Sequence, residues 1–201
     1  EIMQAVWFES FGAAADTLVF GELPCPEPAP GEVLVQLYTS GVNPSDVKKR
    51  AGAFPKLLDN GLVIPHSDGA GVIAAVGKGV DPARIGERVF VYQAQYGRRF
   101  GTAAEYVALE AVRAPRLPDE ASFEVGACIG IPMMTAHRCV FADGAVDGQT
   151  VLVTGGAGRV GYYAIQWAKL AGARVIATAS NDNDAAVCRA VGADEVVNHR
   201  K

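Results

Sequence analysis

The chain has 201 residues, half of them hydrophobic and a fifth charged, with a formal net charge of −4. This balance fits one or two globular domains, and the charge divides evenly, −2 on each side of Pro118, so neither a nucleic-acid-binding patch nor an acidic tail is expected. No apolar run reaches the roughly 18 residues of a membrane span, and Glu1-Ile2-Met3-Gln4 lacks the basic and apolar regions of a secretory signal.

Cys25, Cys128, Cys139 and Cys188 are scattered and form no CxxC, so a reduced, cytoplasmic protein is expected. Met3 is the expected natural start.

Residues 3 to about 118 read as β-rich. Gln4 to Glu9 and Thr17 to Leu23 are short strand-like runs. Pro24 to Gly31 holds too many prolines for a helix or a central strand and reads as a rigid surface connection. Glu32 to Tyr38 is the clearest strand. Gly41-Val42-Asn43-Pro44-Ser45-Asp46 breaks it, and Ser45 to Arg50 suits one or two helical turns before Gly52. Strands follow at Val72 to Val76, within Ile85 to Tyr92, and within Phe100 to Leu109. Many short strands with Gly and Pro turns suggest a β-barrel-like domain.

From Ser122 the period changes. Ser122 is an expected N-cap for a helix through Val125, Ala127 and Ile129, and Pro132 can open a second helix over Met133 to Phe141. Val151 to Val153 is a buried-strand run, followed by Gly155-Gly156-Ala157-Gly158-Arg159-Val160-Gly161 and a helix with Val160, Ala164, Trp167, Ala168 and Ala171 on one face. Gly156-x-Gly158-x-x-Gly161 between a strand and a helix is the dinucleotide fingerprint. Gly156 is expected to take the positive φ of a tight turn, Gly158 to let the backbone approach a pyrophosphate, and Gly161 to let the helix pack on the strand. The free N–H groups at the helix start then face the phosphates. A strand at Arg174 to Ala179, a helix at Asp184 to Val191 and a strand at Glu195 to Asn198 continue a parallel βαβαβ pattern.

Taken together, Gly41 to Asp46, Gly69-Ala70-Gly71-Val72, Gly86-Glu87-Arg88-Val89, Gly101 to Tyr106, the fingerprint and Gly192-Ala193-Asp194 resemble the medium-chain dehydrogenase/reductase superfamily, and within it the zeta-crystallin-like NADPH:quinone oxidoreductases. The resemblance covers essentially the whole chain. It implies an α/β protein with a GroES-like β-barrel domain over 1–121 and the first half of a Rossmann domain over 122–201. A six-stranded Rossmann sheet needs three further strands, so the chain is expected to be a fragment of a longer protein.

The resemblance also implies site residues. Zinc-dependent members place Cys, His and Cys at positions that here hold Asn43, Ser67 and Ile131, so no metal is expected; His66, one place away, reads as a loop-packing or surface histidine. Asn43 is a candidate to hydrogen-bond a substrate carbonyl or the nicotinamide ribose, and Asp46 to anchor the loop or relay a proton. Read locally, they are a turn-forming Asn before Pro44 and an Asp at a helix start. Thr135 matches a threonine near the nicotinamide. Two tyrosines usual in the quinone reductases are replaced by Lys48 and Phe54; Lys48 is a candidate for a cofactor phosphate or ribose, or a solvated helix lysine. Ala179 stands where NAD enzymes carry an acid, Ser180 and Asn181 can donate to a 2′-phosphate, and Asp182 and Asp184 follow. His199 matches a position near the adenosine phosphate. The expectation is therefore a zinc-independent, NADPH-dependent reductase of a quinone or an α,β-unsaturated carbonyl, a homodimer when full length. The alternatives are a 2-enoyl or alkenal reductase, or a catalytically silent crystallin-like nucleotide-binding protein.

Overall fold

The structure, a computed structural model, describes residues 1–200. Its contacts separate a first unit, Glu1–Ile131, from a second that begins at Pro132.

The first unit is built on an antiparallel sheet whose long strand is β3 (Glu32–Gly41). Along β3 the side chains alternate, and Val33 and Val35 are fully buried, as a half-buried strand requires. β3 lies between β4 (Asp68–Val76) and β6 (Tyr106–Glu110), with β5 (Arg88–Val91) on the far side of β4. Irregularities at Leu34/Val35 and Leu37/Thr39 interrupt the β3–β4 register, as bulges do, and bend the strand. Val33, Val35, Ile73, Val89, Val91, Val107 and Leu109 form the core, each side chain contributing about 1.5–3 kcal/mol by its burial.

β1 (Ile2–Trp7) and β2 (Val19–Pro24) pair as a separate antiparallel ribbon. It is tied to the rest of the unit by the bridges Ala5↔Ala104 and Phe8↔Val63. Between them lies a single turn, α1 (Ala14–Thr17), that the sequence pattern does not announce. α2 (Pro44–Arg50) follows β3.

The stretch 122–131, expected with the second domain, packs in the first unit. Ser122 caps α3 (Phe123–Gly126), its Oγ accepting from Val125 N at 3.2 Å. The Phe123 ring stacks on Tyr38 at 4.8 Å and has the Arg88 guanidinium 4.6 Å from its centroid, while the Phe123 carbonyl accepts from Thr39 Oγ1 at 2.7 Å. The expected helix through Ile129 stops at Gly126, where a Cβ would lie 2.6 Å from that of Ala70. A new helix, α4 (Gly130–Phe141), begins three residues before the expected Met133.

The second unit holds a parallel sheet of order β7-β8-β9, made of Thr150–Val153, Arg174–Ala179 and Glu195–Asn198. α5 (Arg159–Leu170) and α6 (Asp182–Ala190) connect these strands. Val175, Ala177 and Ala179 of β8 are buried in the core with Ala164, Ile165 and Ala168 of α5 and Cys188 of α6. The inward face of α5 is Gly161, Ala164, Ile165 and Ala168. Val160, expected on that face, is 37% exposed, because Gly161 rather than Val160 meets the loop below. No helix among the described residues is long and apolar enough to cross a membrane.

Candidate functional site: a dinucleotide groove and a buried carboxylate cluster

In the second unit the glycine loop is pinned to β8. Gly155 N donates to Thr178 Oγ1 and Gly156 N to the Thr178 carbonyl, each at 3.0 Å. The positive φ, +62°, falls on Gly155 and not on Gly156 as expected. Gly156 is required for a different reason: a Cβ there would lie 2.7 Å from Cys188 Sγ and 2.9 Å from Ala177 Cβ. Gly161 is constrained by the loop more than by the strand, since its Cβ would meet the Gly155 carbonyl at 2.4 Å.

Gly158 is the N-cap of α5. Tyr162 N is paired with the Gly158 carbonyl at 2.8 Å. The preceding N–H groups, of Arg159, Val160 and Gly161, have no carbonyl one turn back and remain as donors at the positive end of the helix. A groove of about 250 Å³ opens beside them, lined by Gly155, Ala157, Gly158, Thr178, Ala179, Ser180, Asp184 and His199. The structure thus brings Gly155, Ala157, Gly158, Ser180 and His199 together, with Gly156 and Gly161 packed beneath and Arg159 and Val160 at the helix start. His199 is held at the end of β9 by its N–H on the Ala179 carbonyl, 3.2 Å. Nothing in the sequence marks Thr178, and Asp184 shows there only as an acid after the strand; the Asn181-x-x-Asp184 spacing at a helix start is the signal for its role. Thr135 is exposed on α4 of the same unit and does not line this groove.

In the first unit, Asn43 and Asp46 come together at the start of α2. Both are buried, at 5% exposure. Asp46 Oδ2 accepts Asn43 N–H at 2.7 Å, and Asn43 O accepts Asp46 N–H at 3.0 Å. The local reading of these residues as turn and cap is therefore satisfied, but their burial leaves more. Asp46 Oδ1 and Ser45 Oγ are buried with no hydrogen-bond partner among the described residues. Lys48 is exposed on α2, among the residues of this first unit.

The centre of this cluster is Asp68, which the sequence does not mark. It is fully buried. Its Oδ2 accepts from Asn43 Nδ2 at 2.8 Å, and both its oxygens accept from Ile131 N, at 3.0 and 2.9 Å. Asp68 thus caps α4 from a strand, which explains the early start of that helix. Gly130 makes the approach possible, since a Cβ there would lie 2.1 Å from Asp68 Oδ1. Burial pushes the Asp68 carboxyl up to about 6; the Ile131 N–H and the Asn43 amide pull it down, and the Asp46 charge raises it further.

A second chain of bonds fixes His66. Thr102 Oγ1 donates to the Asp68 carbonyl at 2.6 Å. Its only proton is then spent, so Ser40 Oγ donates to Thr102 Oγ1 (2.8 Å), and His66 Nδ1 must donate to Ser40 Oγ (2.9 Å). His66 accordingly carries its proton on Nδ1. Burial lowers its pKa, against a raising influence of Asp46, which keeps the ring neutral near pH 7. Its φ of +76° is costly for a side chain of this size and is imposed by its surroundings. The histidine is half-buried and packed in its loop, as expected.

The family model described as alcohol dehydrogenase GroES-like domain matches residues 29–119, and the one described as zinc-binding dehydrogenase matches residues 160–201. The chain is 34% identical over 204 aligned residues to the quinone oxidoreductase of Homo sapiens, covering all of this chain and 60% of that protein. Among solved structures, the quinone oxidoreductase of Coxiella burnetii superposes with a TM-score of 0.89 at 30% identity, covering 100% of this chain and 63% of the other. A mycobacterial protein solved in complex with NADPH superposes with a TM-score of 0.83 at 33% identity, covering 98% of this chain and 58% of the other. The chain spans about three fifths of the length of such relatives. A dehydrogenase family model thus matches part of each unit, and along its whole length the chain is similar to quinone oxidoreductases.

Proposed function

We propose that the whole protein is a zinc-independent oxidoreductase that uses NADPH to reduce a quinone or an α,β-unsaturated carbonyl. The observation that carries this reading is the glycine loop with its groove: N–H donors at the start of α5 beside a cavity that ends at Ser180 and His199. Such an arrangement suits a pyrophosphate and an adenosine ribose. Relatives named quinone oxidoreductases, and a relative solved with NADPH, support the choice of cofactor and acceptor.

NADPH, when bound, supplies the hydride. The N–H groups of Arg159, Val160 and Gly161 would hold its pyrophosphate, and Ser180 and His199, which line the groove, would hold the adenosine end. Lys48 would offer a cation to a phosphate or ribose, and Thr135 a hydroxyl to the nicotinamide. Asn43 gives one amide N–H to Asp68 and keeps a second for a carbonyl oxygen or a ribose hydroxyl. Asp46 holds the Asn43 backbone in place.

The residues do not fit a catalytic zinc. Asn43, Ser67 and Ile131 offer an amide, a hydroxyl and a hydrocarbon where thiolate and imidazole are needed. The Asn43 amide points an N–H at Asp68, and Ile131 meets the same carboxylate through its backbone. An acceptor activated by its own conjugation needs only to be bound, oriented and shielded from water.

The cysteines among the described residues are all unpaired, which suits a cytoplasmic protein; a homodimer completes the reading and is testable by size-exclusion chromatography. The functional test is NADPH oxidation by the whole protein against a panel of quinones, enones and 2-enoyl substrates, with NADH compared. Turnover of quinones or simple enones is expected. Turnover confined to 2-enoyl or 2-alkenal substrates would replace the reading by that of an enoyl reductase, and cofactor binding with no turnover would replace it by a silent nucleotide-binding protein.

A further inference from the structure

Asp184 stands in the first turn of α6 and lines the groove beside the glycine loop. Its Oδ2 accepts from Ser180 Oγ at 3.2 Å and from Asn181 Nδ2 at 2.8 Å. Asn181 returns the contact, its Oδ1 accepting Asp184 N–H at 2.9 Å. Only this last bond is needed to cap α6. The other two hold a carboxylate in the groove wall and fasten two donors to it.

Ser180 and Asn181 follow β8, where the adenosine ribose lies when a βαβ unit binds a dinucleotide. A 2′-phosphate in that place needs donors and is repelled by a carboxylate, whereas an unphosphorylated 2′-hydroxyl is itself a donor and prefers one. Ala179 supplies no acid at the end of the strand and is buried. The carboxylate instead comes from α6, five residues on, and reaches the same groove.

We infer that Asp184 is a specificity-determining residue of this site: it withholds Ser180 and Asn181 from a 2′-phosphate and accepts from an unphosphorylated ribose, so it narrows the preference for NADPH over NADH. His199, on the same groove and at the end of β9, is the side chain left to favour the phosphate. The inference rests on the proposed dinucleotide site.

The test uses ligands that cannot turn over. The whole protein is titrated by calorimetry with 2′,5′-ADP and with 5′-AMP, as wild type, Asp184→Asn and Asp184→Ser, the serine variant keeping a capping side chain at the helix start. Melting curves check that each variant is folded. In both variants the ratio of affinities should move toward 2′,5′-ADP, by about tenfold or more, the scale of releasing donors to a charged group. Ser180→Ala should weaken 2′,5′-ADP by no more than about twofold in the wild type and by several-fold more in the Asp184→Asn background, since only there is the hydroxyl released. A ratio unchanged in folded variants, or an equal effect of Ser180→Ala in both backgrounds, overturns the inference while leaving the dinucleotide site standing. Should neither Asp184 variant fold, a large loss from Ser180→Ala in the wild type overturns it alone. Failure of the wild type to bind either ligand overturns the dinucleotide reading, and the inference with it.

Discussion

Asp68 makes the first unit sensitive to pH in an unusual direction. Its carboxyl is raised from an ordinary 3.8 to about 6 in the folded chain, chiefly by burial. An acid whose folded pKa is raised favours the fold in its protonated form. Its contribution is fully present below the unfolded pKa and is lost as pH rises through about 6. Each pH unit separating the folded from the unfolded pKa is worth about 1.36 kcal/mol, and weighting the two titrations over the range gives a loss of about 2 kcal/mol between pH 4 and pH 8. Glu110 and Asp194, whose carboxyls are held low by hydrogen bonds and by nearby Arg98, Arg113 and Lys169, work in the opposite sense. Their contributions are lost as pH falls, so the total curve hides the effect of Asp68. The comparison that isolates it is wild type against Asp68→Asn, which cannot titrate at that position. The substituted amide would still accept Ile131 N–H but would face the Asn43 amide with a second donor, a cost that does not change with pH. Urea unfolding at a series of pH values should show the wild-type advantage shrinking by about 2 kcal/mol from pH 4 to pH 8. A difference that is flat, or that grows with pH, would refute the reasoning.

Three further substitutions separate the packing of the two units from their chemistry. Gly130→Ala places a methyl 2.1 Å from Asp68 Oδ1 and must displace the start of α4; a loss of about 3 kcal/mol is expected by chemical denaturation. Gly161→Ala puts a methyl 2.4 Å from the Gly155 carbonyl. It should weaken NADPH binding by about tenfold or more in a fluorescence titration, the scale of one lost charge-assisted contact, with the near-ultraviolet signal of the first unit unchanged. Asn43→Ala removes one of the bonds to buried Asp68, costing about 1–3 kcal/mol of stability. It should lower kcat/KM for the acceptor while leaving affinity for 2′,5′-ADP within about twofold, since no residue lining the groove is changed.

Much of the second unit is legible in the sequence. The runs Arg174–Ala179 and Glu195–Asn198 coincide with β8 and β9, because each is a short run with β-branched residues that follows a helix-ending glycine, Gly172 or Gly192. The glycine fingerprint places its loop correctly, since strand, turn and helix are contiguous. What is misread is which glycine does what. Positive φ belongs to Gly155, while Gly156 is fixed by Cys188 and Ala177, residues met only in the folded state. On α5 the expected Ala164 and Ala168 do face inward, with Trp167 and Ala171 packed against the core, while Gly161 takes the place expected of Val160.

The first unit hides more, because its defining contacts are long-range. The cap of α4 comes from Asp68, 63 residues upstream of Ile131, so no local cue marks Gly130 as a helix start. Within Pro65-His66-Ser67-Asp68-Gly69, the histidine draws attention and the aspartate looks like a turn residue. Its role depends on β3, β4 and the 122–131 stretch meeting at one point. Asn43 and Asp46 are visible as a cap pair, but only burial shows that Asp46 Oδ1 is left without a partner among the described residues.

Hydride transfer without zinc is tested most directly by following NADPH absorbance with the whole protein, a quinone and enone panel, and exhaustive chelation. Acceptor-dependent oxidation of NADPH that survives chelation at full rate is the expected result. Activity that disappears on chelation and returns with added zinc, or cofactor that binds and is never oxidised by any acceptor, would contradict it.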